Sequence, residues 1–325
     1  MAPKWEETMQ RFAIFALAAL MAMAPNVAQA QQYPQNPIRL VVPFAPGGGA
    51  DLMARILADP LAKRLGQPIV IENKPGGGAT LGADLVAKSP PDGYTLLWTT
   101  PGPQITNPYL MAKLPYDPNN DFTAIATVVT AVNVLVVTPG LPVKSVAELI
   151  AYAKANPGKI NFSSAGVGAS SHLSGELFKM MAGIDIVHVP YRGSGPSLQD
   201  LLAGNVQMAI DTVAVLLPHI QSGGVRALGV ATIARNPTLP DLAPIADTLP
   251  GFDGSSINYI NGPAGMAQPV VERLHAEINA VLSDPDVQKR MLVAGFTPII
   301  ESQPALVKRI GEEQAKWKSV IERIK

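Results

Sequence analysis

Two glycine-rich turns carry the most legible chemistry in this chain. Val42-Pro43-Phe44 runs into Gly47-Gly48-Gly49, and Phe162-Ser163-Ser164 runs into Gly166-Val167-Gly168. In each case a β-like segment precedes the glycines and a helix-like segment follows, from Asp51 and from Ser170. A strand leading into a helix N-terminus presents unpaired N–H groups and the positive end of a dipole. Glycine lets a guest approach that backbone with no Cβ in the way. The natural guest is an anionic oxygen group. Each terminus offers ~0.3–1 kcal/mol by its dipole, and each hydrogen bond to a charged carboxylate adds about 1.5–3 kcal/mol. Two termini facing one cleft thus reach the ~8 kcal/mol of micromolar binding without a cationic side chain, and neither glycine run contains Lys or Arg. A side chain at Gly48 is expected to occupy the oxyanion space. Asp51 reads as an N-cap that holds the first loop in shape and stays off the ligand.

Other motif readings fail on spacing. Gly76-Gly77-Gly78-Ala79-Thr80-Leu81-Gly82 puts its last glycine one residue late for a dinucleotide fingerprint, and no Gly-Lys-Ser/Thr follows a glycine run. No G-x-S-x-G elbow is present. The four histidines, His172, His188, His219 and His275, form no ligand pair at H-x-x-x-H spacing. His275 is expected on a solvated helix face, and His188 and His219 read as structural. His172 differs, because it falls in the first turn after the second glycine loop. Ser163, Ser164, Ser170 and Ser171 beside His172 leave a secreted hydrolase as an alternative, but neighbours in sequence cannot build a triad unaided.

The elements that must position these turns alternate along the chain. Strand-like Ile38–Phe44, Ile69–Asn73 and Tyr94–Trp98 are separated by apolar periodicity over Leu52–Leu65 and Ala79–Ala87. The pattern restarts with strands at Asn133–Val137, Lys159–Ser164, Ile186–Pro190, Val206–Ile210 and Ala227–Ala231, and helices at Ser145–Asn156 and Ser170–Ala182. Such βα alternation predicts mainly parallel sheets flanked by helices. After Pro250 the segment to Gly265 reads as irregular, and three helices close the chain. The last, Gln303–Ile324, is capped by Ser302 and carries Leu306, Ile310, Trp317, Val320 and Ile324 on one face.

Bulk composition narrows the function. The chain has 25 basic and 25 acidic residues, which gives no electrostatic case for nucleic acid or an anionic membrane. It has no cysteine, which excludes disulfides, thiol catalysis and cysteine metal sites. Lys4 and Arg11, the apolar run Phe12–Ala24 and the small-x-small motif Ala28-Gln29-Ala30 predict a signal peptide cleaved after Ala30, with Met1 or Met9 as start. The expected destination is the periplasm.

The motif run resembles the Bug, or TctC-type, extracytoplasmic solute receptors of tripartite tricarboxylate transporters. The matching stretches include Pro37–Gly48, Leu65-Gly66-Gln67-Pro68, Glu72–Gly76, Pro91–Leu96, Leu114–Asp117, His172–Phe178, His188–Gly193 and Asp200–Gly204. The resemblance implies a type II periplasmic-binding-protein fold, with lobe 1 at 31–130 and 253–325, lobe 2 at 131–252, and a ligand cleft between them. It implies a non-catalytic, monomeric receptor without cofactor or metal, whose ligand is a small carboxylate: a dicarboxylate, a tricarboxylate, an acidic amino acid or an aromatic acid. Its partners would be TctA/TctB-type membrane subunits, or, as an alternative, a membrane signalling protein. Carried over, the first-lobe contacts are Phe44, Gly48, Gly49, Thr99, Thr100 and Gly102. The second-lobe contacts are Ser164, Ala165, Gly166, Ser170, His172 and Asp211. The chain departs from the family at Ile257–Pro269, where Ile257 replaces an aromatic and Tyr259 a glycine. That departure bears on the hinge packing and the pocket wall.

Overall fold

A computed structural model describes residues 33–236 and 238–324. The expected signal peptide lies outside the described residues. The unit that begins at Asn36 holds both sheets found among the described residues. No helix among the described residues is long and apolar enough to cross a membrane.

The first half opens as the glycine turns predict. Strand β1 (Ile38–Val42) leads through the first glycine loop to helix α1 (Gly49–Leu65), then β2 (Ile69–Asn73), α2 (Thr80–Ala87) and β3 (Thr95–Thr99). β1 pairs in parallel with β2 and with β3. Met53, Leu57 and Leu61 bury one face of α1, and the helix ends at Gly66, whose φ of 73° only glycine adopts without strain. One turn of π-helix (Gly102–Thr106) and the short α3 (Asn107–Leu110) follow β3, and the long strand β4 (Phe122–Ala131) leads out of this half.

A single residue, Val132, separates β4 from β5 (Asn133–Val137), the first strand of the second sheet. Then come α4 (Val146–Ala155), β6 (Asn161–Ser164), α5 (Ser170–Ala182), β7 (Val187–Pro190), α6 (Ser194–Leu202), β8 (Met208–Thr212), α7 (Val213–Gln221) and β9 (Arg226–Val230). The Ser145 hydroxyl caps α4 by accepting from the Glu148 N–H at 3.1 Å.

The chain returns through β10 (Ser256–Pro263), α8 (Gln268–Leu282), α9 (Pro285–Val293), β11 (Phe296–Pro298) and α10 (Gln303–Ile324). The stretch expected to be irregular is therefore a fully buried strand, inserted antiparallel between β3 and β4. Its polar residues obscure it in sequence. They are satisfied in the fold: Tyr259 Oη donates to Gln104 Oε1 at 3.0 Å, and Asn261 Nδ2 donates to the same oxygen at 2.6 Å. The departure from the family at Ile257–Pro269 is thus absorbed in the middle of a sheet, and Pro269 sits in the first turn of α8.

Two sheets result, in the orders β11-β4-β10-β3-β1-β2 and β7-β6-β8-β5-β9. Both are mixed. The βα units pair in parallel, while the crossing strands β5 and β10 enter antiparallel. The two crossings are stitched together. Asn133 Nδ2 donates to Ser174 Oγ at 2.9 Å and to the Gly254 carbonyl at 3.0 Å, and Ser174 Oγ donates to the same carbonyl at 2.8 Å. Helix α10 packs on the π-helix, on β4 and on α5, so it braces elements of both sheets. Leu306, Ile310, Trp317 and Ile321 are its buried face, each worth ~1.5–3 kcal/mol of burial.

Candidate functional site: an interlobe chamber

The two glycine loops meet across the cleft between the sheets. They wall an inner chamber of about 40 Å³, lined by Phe44, Gly48, Gly49, Ala50, Thr100, Ala131, Ala165, Ala169, Ser170, Ser171, Ser194, Asp211, Thr212 and Asn258. Four helices begin on this wall: α1 after Gly48, α5 after Ala169, α6 after Gly193 and α7 after Thr212. None of these four N-cap residues spends a side chain on capping its helix. Side chains therefore leave the first N–H groups of α1, α5 and α6 to an incoming acceptor, whereas the Val213 N–H that opens α7 donates to the Val132 carbonyl at 2.9 Å. The sequence announced two of these termini. It did not announce those of α6 and α7.

No Lys, Arg or His lines the chamber. The hydroxyl of Thr100, and that of Thr99 at the end of β3, are buried without a partner. A volume near 40 Å³ exceeds the ~10–15 Å³ that one water needs, so the chamber has room for a small polar group. Phe44 and Ala165 separate it from an outer cavity of about 540 Å³, walled by Pro43, Pro75–Ala79, Leu81, Met111, Gly166, Val167 and Pro190–Arg192. That cavity is largely apolar, with the exposed Arg192 at its edge.

The walls are held by backbone-directed bonds. The first loop hangs on Asp51, which is the third residue of α1 and not its N-cap. Gly48 occupies the cap position, because the chain is still extended there (φ −82°, ψ 169°). Asp51 Oδ2 accepts from the Gly47 N–H and from Arg55 Nε, both at 3.0 Å, and Asn73 Nδ2 bridges Asp51 Oδ1 and the Phe44 carbonyl. Burial alone would raise the Asp51 pKa, but the bonds from Arg55, Gly47 and Asn73 outweigh it and hold the carboxylate below its usual range. Asp51 shapes the loop, and its charge is turned to Arg55.

The second loop is held in the same manner. Ser164 Oγ accepts from the Gly166 N–H at 3.1 Å, Ser171 Oγ from the Ala165 N–H at 2.9 Å, and His172 Nδ1 from the Gly168 N–H at 3.2 Å. His172 and His188 lie with ring centroids 4.3 Å apart, and His188 stacks on Phe162. Burial pulls His172 down to about 4, and burial with the charges of His172 and Lys179 pulls His188 down to about 3. Both rings are therefore neutral near pH 7.

Of the sequence-predicted residues, Phe44, Gly48, Gly49, Thr100, Ala165, Ser170 and Asp211 come together on the inner chamber, and Gly166 lines the outer cavity. Ser164 and His172 lie behind the wall, engaged with the loop they support. Thr99 is the last residue of β3. Gly102 faces the carbonyls of Gly78 and Gly168, where a Cβ would lie 3.2 and 3.5 Å from the two oxygens. His275 is half-buried, not solvated, and bonds the Ile125 carbonyl at 2.8 Å. Sequence reasoning missed Ser194, Thr212 and Asn258.

The ring chemistry bears on two other readings. Ligand atoms of His172, Glu176 and His188 lie within 4.8 Å of one another. However, His172 accepts an N–H at Nδ1, so its proton sits on Nε2 and leaves no lone pair for a metal there. Ser164 Oγ lies 2.6 Å from His188 Nε2, yet Ser164 is fully buried and an imidazole with a pKa of about 3 is a poor base at neutral pH.

Two lobes, each a mixed sheet flanked by helices and joined by crossing strands around a chamber, define the fold of the periplasmic binding proteins. Residues 53–325 match the family model described as the tripartite tricarboxylate transporter family receptor, TctC, and the chain belongs to that family. It is 36% identical to Protein BugT of Bordetella pertussis (strain Tohama I) over 294 residues, 90% of each chain. Among solved structures it is similar to R. palustris Rpa4515 with adipate, at 36% identity and a TM-score of 0.88, covering 90% of this chain and 98% of that one. It is also similar to MatC from Rhodopseudomonas palustris with bound malate, at 32% identity and a TM-score of 0.84, covering 89% and 100%.

Proposed function

We propose that this chain is a periplasmic receptor that closes its lobes, 31–130 with 253–325 and 131–252, around a small carboxylate and delivers it to TctA/TctB-type membrane subunits. The observation that carries this reading is the convergence of four helix N-termini on one chamber without a cationic side chain, those of α1, α5 and α6 with no side-chain cap. Such a chamber favours an anion by dipole and backbone hydrogen bonds. It has room for a small polar group such as a carboxylate, and the apolar outer cavity suits the body of the acid. Adipate in Rpa4515 and malate in MatC support the same ligand class.

Thermal denaturation against a panel of mono-, di- and tricarboxylates tests the reading. At least one acid raises the melting temperature in a saturable manner, because a ligand that binds only the native state stabilises it by mass action. A folded protein that no member of the panel shifts contradicts it.

A further inference from the structure

Within the chamber one group is out of place for an anion receptor. Asp211, at the end of β8, is 4% exposed and lines the same wall as the four helix N-termini. Its Oδ1 accepts from the Thr212 N–H at 2.7 Å, and the Ser194 hydroxyl also bonds it. Among the described residues, the elements packed around it bring no ionised group to bear on it. β5 sets Val134 beside it, β6 pairs Ser163 with Ala209 two positions before it, and α6 presents Ser194 and Ser197. The charged pair of α1, Asp51 with Arg55, is bonded to Gly47 and Asn73, and His172 of α5 is neutral and bonded to Gly168. Burial is the largest influence on the carboxyl and pushes it up to about 6, against the bonds from Ser194 and Thr212.

A carboxylate ligand seated on these N-termini enters a chamber of about 40 Å³ that already holds this carboxyl. Two like charges at such range cannot both stay ionised, and one of the pair keeps a proton. We propose that Asp211 takes up one proton from solvent as the anion enters, so that capture is coupled to proton uptake and Asp211 donates its O–H to the ligand carboxylate. This rests on the carboxylate-receptor reading. Asp211 thereby sets specificity as well. An acid that offers an acceptor to the protonated carboxyl is retained. Two negative charges are not held together, and affinity weakens as pH rises.

Isothermal titration with adipate, malate and aspartate as probes, each in two buffers of different ionisation enthalpy, measures the protons exchanged. At about pH 7.5 the wild-type protein takes up close to one proton per adipate or malate bound, and at about pH 5 clearly less. Above about pH 7 the Kd rises by about tenfold per pH unit. In Asp211→Asn, which keeps an acceptor for the Thr212 N–H, uptake disappears and Kd becomes flat between about pH 6 and 8. Binding by the wild type without proton uptake overturns the proposal and leaves the receptor reading standing. A pH slope that persists in Asp211→Asn also overturns it. So does tight binding of aspartate alone, without uptake and lost in the variant, since Asp211 would then be an ionised partner for an ammonium group. If no carboxylate of any class binds, the receptor reading itself fails and this inference with it. The wild-type measurement decides the matter even if the variant does not fold.

Discussion

Gly49 and Thr212 face each other across the closed cleft at a distance that leaves no room for a side chain. A Cβ on Gly49 would fall 2.7 Å from Thr212 Oγ1. The first residue of α1 follows a strand of the first sheet and the N-cap of α7 ends a strand of the second, so this contact spans the cleft. Gly49→Ala is expected to leave the free protein folded, since alanine is the better helix former by ~1 kcal/mol. It should weaken ligand affinity at least tenfold by holding the cleft ajar. Gly48 is different. Its Cβ would meet Ser194 at an ordinary 3.7 Å, so Gly48→Ala should cost little, while the branched Gly48→Val should bind poorly. Calorimetric Kd values for the three variants check this order.

The first loop gives a second test. Asp51 ties the Gly47 N–H, Arg55 and Asn73 together without lining the chamber. Asp51→Ala should weaken ligand binding by loosening the loop. Arg55→Ala, which leaves the Gly47 and Asn73 bonds intact, should do so less. Equal affinities in both variants and wild type would mean that Asp51 does not hold the site.

The crossings predict a stability effect. Replacing Asn133 with Ala removes two buried donor bonds, to Ser174 Oγ and to the Gly254 carbonyl. Denaturant unfolding should show a loss of roughly 1–3 kcal/mol. Gly254→Ala should also be unfavourable, because its Cβ would lie 2.6 Å from Ser174 Oγ.

Stability should depend on pH through the buried histidines. An unfolded histidine titrates near 6.5, whereas folded His172 and His188 do so at about 4 and about 3. Between about pH 6.5 and 4 the unfolded chain binds more protons, so these two groups make stability fall as pH falls. Asp211 acts with the opposite sign. Its native pKa of about 6 lies above the ordinary aspartate value of 3.8, so the folded state gains a proton between about pH 6 and 4 and is favoured by acid there. Glu176, raised by burial, acts with Asp211, but the two histidine shifts together exceed that of Asp211, so these groups leave a net fall in melting temperature from about pH 6.5 to 4. His172→Gln with His188→Gln should reverse the slope that these four groups set. An unchanged profile in the double variant would contradict the assignment of two buried neutral rings.

The part of this site legible in the sequence was the part encoded locally. Gly47–Gly49 and Gly166–Gly168 mark β1/α1 and β6/α5 because the turn itself needs those residues. The termini of α6 and α7 carry no such mark. Thr212 is an ordinary threonine before an apolar run, and Ser194 follows one glycine. Asn258 reaches the chamber only through the register of β10, a strand with a bulge at Asn258/Tyr259. That register depends on neighbours in β3 and β4, far away in sequence. Ser164 and His172 show the converse. Their types and places suggested ligand contacts, but the loop's own N–H groups claim them first.

The central claim, an anion site built from helix N-termini, is tested most directly by comparing an acid with its neutral ester. Titration with adipate and with dimethyl adipate, and with malate and dimethyl malate, isolates the anionic group while keeping the carbon skeleton. Saturable binding of at least one acid is expected, with affinity for its ester lower by at least two orders of magnitude. An ester that binds as tightly as its acid would contradict such a site.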